Sequence, residues 1–318
     1  MAIHTILSKE DIIKILKNYN ILNLENFNGI QEGIENTNYL IETKFKKLIL
    51  TIFEERVDVK DVPFYLDLMN FVKSVGINCP TPLKDENDNR INSLGKKKYS
   101  IFTFVEGKSL STWNKNDCYE IGQQLGKFHS LTQEHTFKKE NNFSVQSWVK
   151  IFSKCSTKIN NIIPDGYNLI KKEINYLEKE WYKEIPFGII HADLFPDNVL
   201  FKKNKVSGII DFYFSCIDYW LYDLSIVLNA WSFVNGSFIK DNFINIIKGY
   251  TSIRNLTNNE KKYINIFLRG SAMRFLLTRL NDKIFTKKKS LTKIKNPLDF
   301  FEILNFHINN PDIYEDLI

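Results

Sequence analysis

The sequence predicts an α+β chain in two parts, a small antiparallel sheet with one packed helix and then a larger, mainly helical part. Two observations carry that reading. Up to about residue 105, short β-rich runs alternate with polar turns, and beyond Gly107 the apolar residues fall at helical spacing over long stretches. A third observation qualifies it: a strand-rich insert at residues 188–211 interrupts the helical part.

Ser8–Tyr19 opens on a capping serine and continues through Ile12, Ile13, Ile15 and Leu16, an amphipathic helix. Phe27–Ile41, with Gly29, Gly33, Asn36 and Asn38, followed by Lys47–Phe53, reads as strand, polar turn, strand, strand. Asp61–Val75 has Val62, Tyr65, Leu66, Met69 and Val72 at helical spacing, stops at Gly76, and gives way to chain held extended by Pro80 and Pro82. Lys98–Val105 is a further strand that closes at Glu106-Gly107. In the second part Asp117–Ser130 and Asp165–Trp181 are the clearest helices, and helix resumes from Tyr222 to the C-terminus. Nothing near residue 105 is Gly/Ser-rich, so the boundary is a hinge and not a floppy linker.

The composition narrows the function. At 318 residues, 43% hydrophobic and 25% charged, the chain resembles an ordinary folded protein with room for two modest domains. No basic stretch followed by an apolar run marks a signal peptide, and Asp211, Asp218 and Asp223 interrupt the most apolar tract, Ile209–Trp231. Cys79, Cys118, Cys155 and Cys216 stand far apart without zinc or disulfide spacing, which fits buried thiols in a cytoplasmic protein. The net charge of +6 is spread over many lysines, without the basic stripe and interleaved aromatics that nucleic acid would require. Neither a nucleic-acid nor a membrane partner is expected.

The chemistry is concentrated in Gly188-Ile-Ile-His191-Ala-Asp193-Leu-Phe-Pro-Asp197-Asn198-Val-Leu-Phe201 and, thirteen residues after Asn198, Asp211. Kinase catalytic loops place an Asp five residues before an Asn and bring a second Asp at the end of a short hairpin. Asp193 and Asn198 have that spacing, and Val199–Phe201 with Val206–Ile210 can form the hairpin around a polar turn. Transfer of a γ-phosphoryl group from ATP calls for hard divalent cations, so Asp211 and Asn198 are the expected ligands of magnesium. Asp193 is the expected base, orienting an acceptor hydroxyl and taking its proton. His191 is read as a loop-shaping group and Asp223, in Tyr222-Asp223-Leu224, as a buried scaffold that accepts loop N–H groups. Turn-forming acids are the plain alternative for any one of these residues. They do not account for apolar strand, HxD, PxN, hairpin and second carboxylate together, whereas Asp197 is adequately explained as a turn cap.

At these residues the chain resembles the aminoglycoside-phosphotransferase-like kinases and, within them, the homoserine kinase branch. The resemblance extends over nearly the whole chain. It includes Glu32–Tyr39, Leu50–Val57, Phe102–Gly107, His191–Asn198, Ile210–Phe214, Leu228–Trp231 and Arg269–Leu280. It implies a bilobal protein-kinase-like fold, with residues 1–105 as the nucleotide-binding lobe and 106–318 as the catalytic and substrate-binding lobe. It also implies ATP bound between the lobes and phosphorylation of the side-chain hydroxyl of an amino acid, L-homoserine. Gly33, Asn36 and Asn38 would then face the ATP phosphates, and the hinge, Thr103 and Val105 included, would face adenine. A zwitterionic acceptor needs an acid and a cation, for which Asp218 and Arg274 (or Arg269) are the candidates. One departure stands out: the strand position that carries a phosphate-contacting Lys in such kinases is Thr51 here. Lys47 and Arg56 are possible substitutes, and Asp67 is a loose candidate for the helix acid. The alternatives are a kinase for another small hydroxyl compound (choline, an aminoglycoside, methylthioribose or hydroxylysine) and a non-catalytic nucleotide-binding module.

Overall fold

The computed structural model describes residues 4–30, 36–54, 57–286, 294–314 and 317–318. The chain divides into two compact units. The first takes in the residues up to Glu106 together with Gly208–Tyr213, and the second takes in Gly107–Ser207, Phe214–Lys288 and Ile294–Ile318.

In the first unit, α1 (Lys9–Lys17) begins at Ser8, whose hydroxyl accepts the Asp11 N–H while the Asp11 carboxylate accepts the Ser8 N–H. This reciprocal cap satisfies two donors that the first turn cannot pair internally. Strands β1 (Leu24–Ile30), β2 (Thr37–Thr43) and β3 (Lys47–Phe53) follow, then α2 (Val62–Ser74), β4 (Asn92–Leu94) and β5 (Lys97–Thr103). They form one antiparallel five-stranded sheet in the order β1-β2-β3-β5-β4. Because side chains alternate along a strand, Tyr39, Ile41, Leu48, Leu50, Ile52, Tyr99 and Ile101 share a face and pack on Ile12, Ile15 and Leu16 of α1. Thr51 and Phe53 point to the other face, where the ring of Phe53 lies 5.8 Å from that of Tyr213, and Tyr213 also meets Tyr65 of α2 at 5.6 Å.

The second unit contains α3 (Lys115–Leu131), α4 (Val145–Cys155), α5 (Gly166–Glu180), β6 (Phe187–Ile190), β7 (Val199–Lys202), β8 (Lys205–Ile209, whose last two residues belong to the first unit), β9 (Cys216–Tyr219) and α6 (Trp220–Ser232). A small hairpin, β10 (Phe233–Val234) and β11 (Ser237–Phe238), then leads to α7 (Lys240–Thr251), the 28-residue α8 (Asn258–Phe285) and α9 (Pro297–Asn309). The hairpin expected after Asn198 is present as β7 and β8, and its turn residues Lys203 and Asn204 both have positive φ. Two positive-φ residues in succession match the primed turns that fit strand twist. Every residue of α6 except Ala230 is buried, so it is the central helix of this unit.

Helices α3 and α7 approach so closely that glycine is required at the crossing. A Cβ on Gly122 would stand 2.2 Å from the Ile246 carbonyl oxygen, and one on Gly249 would stand 2.1 Å from that of Tyr119. Both obstacles are backbone and cannot rotate away. Gly122→Ala should therefore destabilise the protein by about 3 kcal/mol, the upper end of overpacking effects. A urea midpoint unchanged from wild type would contradict that expectation.

A second stability effect arises from His307 on α9. It is fully buried, with Nε2 donating to Asn229 Oδ1 at 2.6 Å and Nδ1 accepting from the Tyr314 hydroxyl. Burial, with a smaller contribution from the positive charge of Arg269, pushes its pKa down to about 3. The unfolded chain takes up a proton near pH 6.5 that the folded chain refuses, so stability is full above that pH and falls as pH drops toward 3. Between pH 7 and pH 5 the loss from this residue should be about 2 kcal/mol. Urea midpoints at the two pH values measure it, and His307→Gln should flatten the slope.

Candidate active site

β6 pairs antiparallel with β9, Ile190 opposite Cys216 and Gly188 opposite Asp218, and delivers the chain into His191-Ala192-Asp193. Ala192 adopts φ +64°, a left-handed conformation that costs an alanine roughly 1 kcal/mol or more. Hydrogen bonds hold it there. Asp223, fully buried on α6, accepts the N–H of His191 and of Ala192, each at 2.8 Å. The four carbonyls from His191 to Leu194 each accept from a side chain. Ser215 Oγ serves His191 at 3.4 Å, Arg274 Nη1 serves Ala192, Asn198 Nδ2 serves Asp193 at 2.7 Å, and Trp231 Nε1 serves Leu194 at 3.0 Å. His191 is buried, and its Nδ1 accepts the Asp193 N–H at 3.3 Å. A loop with its amides and carbonyls held in this way is preorganised.

Asp223 is itself oriented. Burial raises its carboxyl, but the His129 hydrogen bond, the neighbouring imidazoles and the His191 N–H outweigh burial and hold it below the usual carboxylate range. Burial pushes His129 the other way, below its ordinary value, despite Asp223. A neutral imidazole beside an ionised carboxylate must be the donor. His129 therefore gives Nε2–H to Asp223 at 3.1 Å, and its Nδ1 accepts from the Tyr250 hydroxyl at 2.8 Å. Arg254 donates to the same hydroxyl at 3.0 Å and pairs with Glu260, which caps α8. This buried chain of partners was not apparent in the sequence. His129 sits on the apolar stripe of Ile121, Leu125 and Phe128, where a lone histidine was its only signal.

Asp193 is half-buried, and its Oδ2 accepts Asn198 Nδ2 at 3.0 Å. Both Asn198 amide hydrogens therefore face Asp193. Asp197 is exposed and ion-pairs with Lys295 at 3.1 Å. Asp211, in the first unit, follows β8 with φ +66°. Among the described residues no three His, Cys, Asp or Glu side chains form a preassembled cage. Asn198 and Asp211 each carry a hard oxygen, the donor type that magnesium accepts alongside water and phosphate oxygens.

The first-unit candidates fall as follows. Asn36 Oδ1 accepts the Glu54 N–H at 3.2 Å, and Asn38 Oδ1 accepts the Thr51 hydroxyl at 2.7 Å across β2 and β3. Gly33 and Arg56 lie outside the described residues. Lys47 pairs with Glu42 at 2.6 Å, and Asp67 pairs with Arg90 at 2.6 Å, so neither joins Thr51 in a clamp. At the end of β5, the Thr103 N–H is bound to the Thr81 carbonyl at 3.0 Å and its hydroxyl to the Thr81 N–H at 2.9 Å, while Val105 is buried.

The acceptor candidates separate clearly. Arg269 makes a two-pronged pair with Glu173, Nε at 2.6 Å and Nη2 at 2.5 Å, which ties α8 to α5. Asp218 accepts Asn141 Nδ2 at 2.7 Å and the Tyr219 N–H at 2.7 Å, and burial raises its carboxyl. Arg274 is 2% exposed and has ring faces of Phe143, Phe214 and Phe275 against its guanidinium.

The chain is similar to known proteins over most of its length. Residues 26–254 match the phosphotransferase enzyme family, and the chain belongs to that family. It is a kinase that uses ATP. A homoserine kinase of Sinorhizobium medicae is 36% identical over 96% of this chain and 94% of its own length. A homoserine kinase of Nitrobacter winogradskyi is 38% identical over 96% and 94%. Among solved structures, an amicoumacin kinase in complex with AMP-PNP, Ca2+ and amicoumacin superposes with TM-score 0.71 at 16% identity, covering 98% of this chain and 94% of that one. A spectinomycin phosphotransferase in complex with ADP and spectinomycin gives 0.68 at 16%, covering 98% and 100%. The fold is thus the kinase-like α+β fold expected from the sequence, with an antiparallel sheet in the first part and helices in the second.

Proposed function

We propose that the chain is an ATP-dependent homoserine kinase that forms O-phospho-L-homoserine, a step of threonine biosynthesis. The near-full-length likeness to homoserine kinases carries the acceptor assignment, because the catalytic loop alone identifies only phosphoryl transfer. Asp193 is assigned as the base. It orients the acceptor hydroxyl and takes its proton as the new O–P bond forms and the bond to the ADP oxygen breaks. Asn198 Nδ2 fixes the Asp193 carboxylate for that role, and Asp223 with His191 holds the loop. Asn198 Oδ1 and the Asp211 carboxylate are the oxygens assigned to magnesium. Bound there, the cation would neutralise charge developing on the phosphate oxygens.

Gly33, Asn36 and Asn38 are assigned to the nucleotide phosphates, and Thr103 and Val105 to the adenine side. At the hinge the hydrogen-bonding backbone group of Thr103 is its carbonyl, since its N–H serves Thr81. Asp218 and Arg274 are assigned to the acceptor's ammonium and carboxylate. Among the described residues no helix is long and apolar enough to cross a membrane, and the four cysteines are free and buried, which supports a cytoplasmic setting.

A coupled ADP-release assay with homoserine, choline, an aminoglycoside, methylthioribose and hydroxylysine tests the reading. Homoserine should exceed every other acceptor in kcat/KM by at least about a hundredfold, the discrimination available when buried polar groups would otherwise be left unpaired. Equal or faster turnover of another acceptor would contradict it.

A further inference from the structure

We propose that Arg274 reads the acceptor's carboxylate and, through the same guanidinium, sets the geometry of the loop that carries Asp193, an inference that rests on the homoserine reading above. Arg90, Arg254, Arg269 and Arg279 each pair with a carboxylate. Arg274 has no such partner among the described residues, although it is the most deeply buried of these side chains. Nη1 donates to the Ala192 carbonyl, and Nε is buried without a hydrogen-bond partner. Other neighbours of Arg274 are the Tyr222 hydroxyl, the Asp218 carboxylate, which lies within electrostatic reach without a direct ion pair, and the rings of Phe275 at 4.4 Å, Phe143 at 5.1 Å and Phe214 at 5.3 Å from the guanidinium carbon.

Ring faces attract a guanidinium but do not neutralise it, and a buried cation without a directly paired anion is among the least favourable groups a fold can retain. The requirement is met if the working complex supplies the anion. A guanidinium edge presents two parallel N–H groups that match a carboxylate. The phosphate-bearing substrate has its own assigned partners, which leaves the acceptor as the source of this anion. The carbonyl held by Arg274 belongs to Ala192, the residue next to Asp193. An acceptor with its hydroxyl on Asp193 and its carboxylate on Arg274 would thus be held at both ends by groups attached to one loop. Ala192 is the strained residue of that loop, so occupancy of Arg274 fixes the conformation on which Asp193 depends. Binding energy from a part of the substrate that does not react would then appear in kcat as well as in KM.

The test compares L-homoserine with 3-amino-1-propanol, the same molecule without its carboxylate, at saturating ATP. In the wild type, loss of the carboxylate should lower kcat by at least about thirtyfold in addition to raising KM. In Arg274→Gln the two acceptors should fall within about threefold of each other, and Arg274→Lys should restore part of the difference. Wild-type hydrogen exchange over residues 191–198 supplies a measurement that needs no variant: homoserine should slow it, whereas 3-amino-1-propanol or ATP alone should not. The proposal is overturned if the wild type distinguishes the acceptors in KM alone, if Arg274→Gln slows both equally, or if ATP alone or 3-amino-1-propanol protects the loop as well as homoserine does. Absence of wild-type turnover with homoserine would overturn the acceptor assignment itself, and this proposal with it.

Discussion

Asp193→Asn should lower kcat by about a thousandfold, within the hundred- to ten-thousandfold range of a positioned acid or base, and leave ATP affinity within about threefold. The substitution is close to isosteric. An asparagine oxygen can still accept Asn198 Nδ2, which now sits 3.0 Å from Asp193 Oδ2, so the loop keeps its shape. What is lost is the negative charge and the ability to take a proton. Single-turnover rates with homoserine, alongside nucleotide titration, separate the two effects. A fall in ATP affinity matching the fall in kcat would mean that Asp193 acts in binding, and a variant of near-normal rate would remove it as the base.

Asp223→Asn should both slow the enzyme and loosen the fold. The carboxylate receives three donors, the N–H groups of His191 and Ala192 and the imidazole of His129. An amide offers one acceptor oxygen and turns an N–H toward the remaining donors. Removing one partner of a buried, charge-assisted network typically costs about 3–5 kcal/mol. The left-handed Ala192 also loses the group that holds its N–H, so kcat should fall by at least about a hundredfold even in the folded fraction. Urea denaturation gives the stability change, and activity corrected for folded protein gives the rate. A stable variant of unchanged rate would show that the loop holds its shape without this carboxylate.

How far the sequence anticipated these features depended on whether the signal was local. The α1 cap, the β-rich runs of β2 and β3, the hairpin after Asn198 and the helical spacing of α2 are set by neighbours in the chain, and each was expected near its observed place. The HxDxxxxN spacing exposed Asp193 and Asn198 for the same reason. The support behind them is long-range. Asp223 reaches His129 across 94 residues, and Arg274 reaches Ala192 across 82. No periodicity reports such pairs, and His129 on an apolar helix face reads as core. Arg269 and Arg274 were equivalent on sequence, and only the Glu173 partner of one and the missing carboxylate of the other separate them. Thr51 shows the opposite case. The sequence exposed it as a departure, and the structure gives it a neutral partner, Asn38.

The central claim is phosphoryl transfer from ATP to the side-chain hydroxyl of homoserine. Its most direct measurement is 31P NMR of wild-type protein incubated with ATP, magnesium and L-homoserine. The account predicts a new phosphomonoester resonance that matches O-phospho-L-homoserine and grows in step with ADP, and that is almost abolished in Asp193→Asn. ADP release accompanied only by inorganic phosphate, or a phosphomonoester formed equally fast by Asp193→Asn, would contradict it.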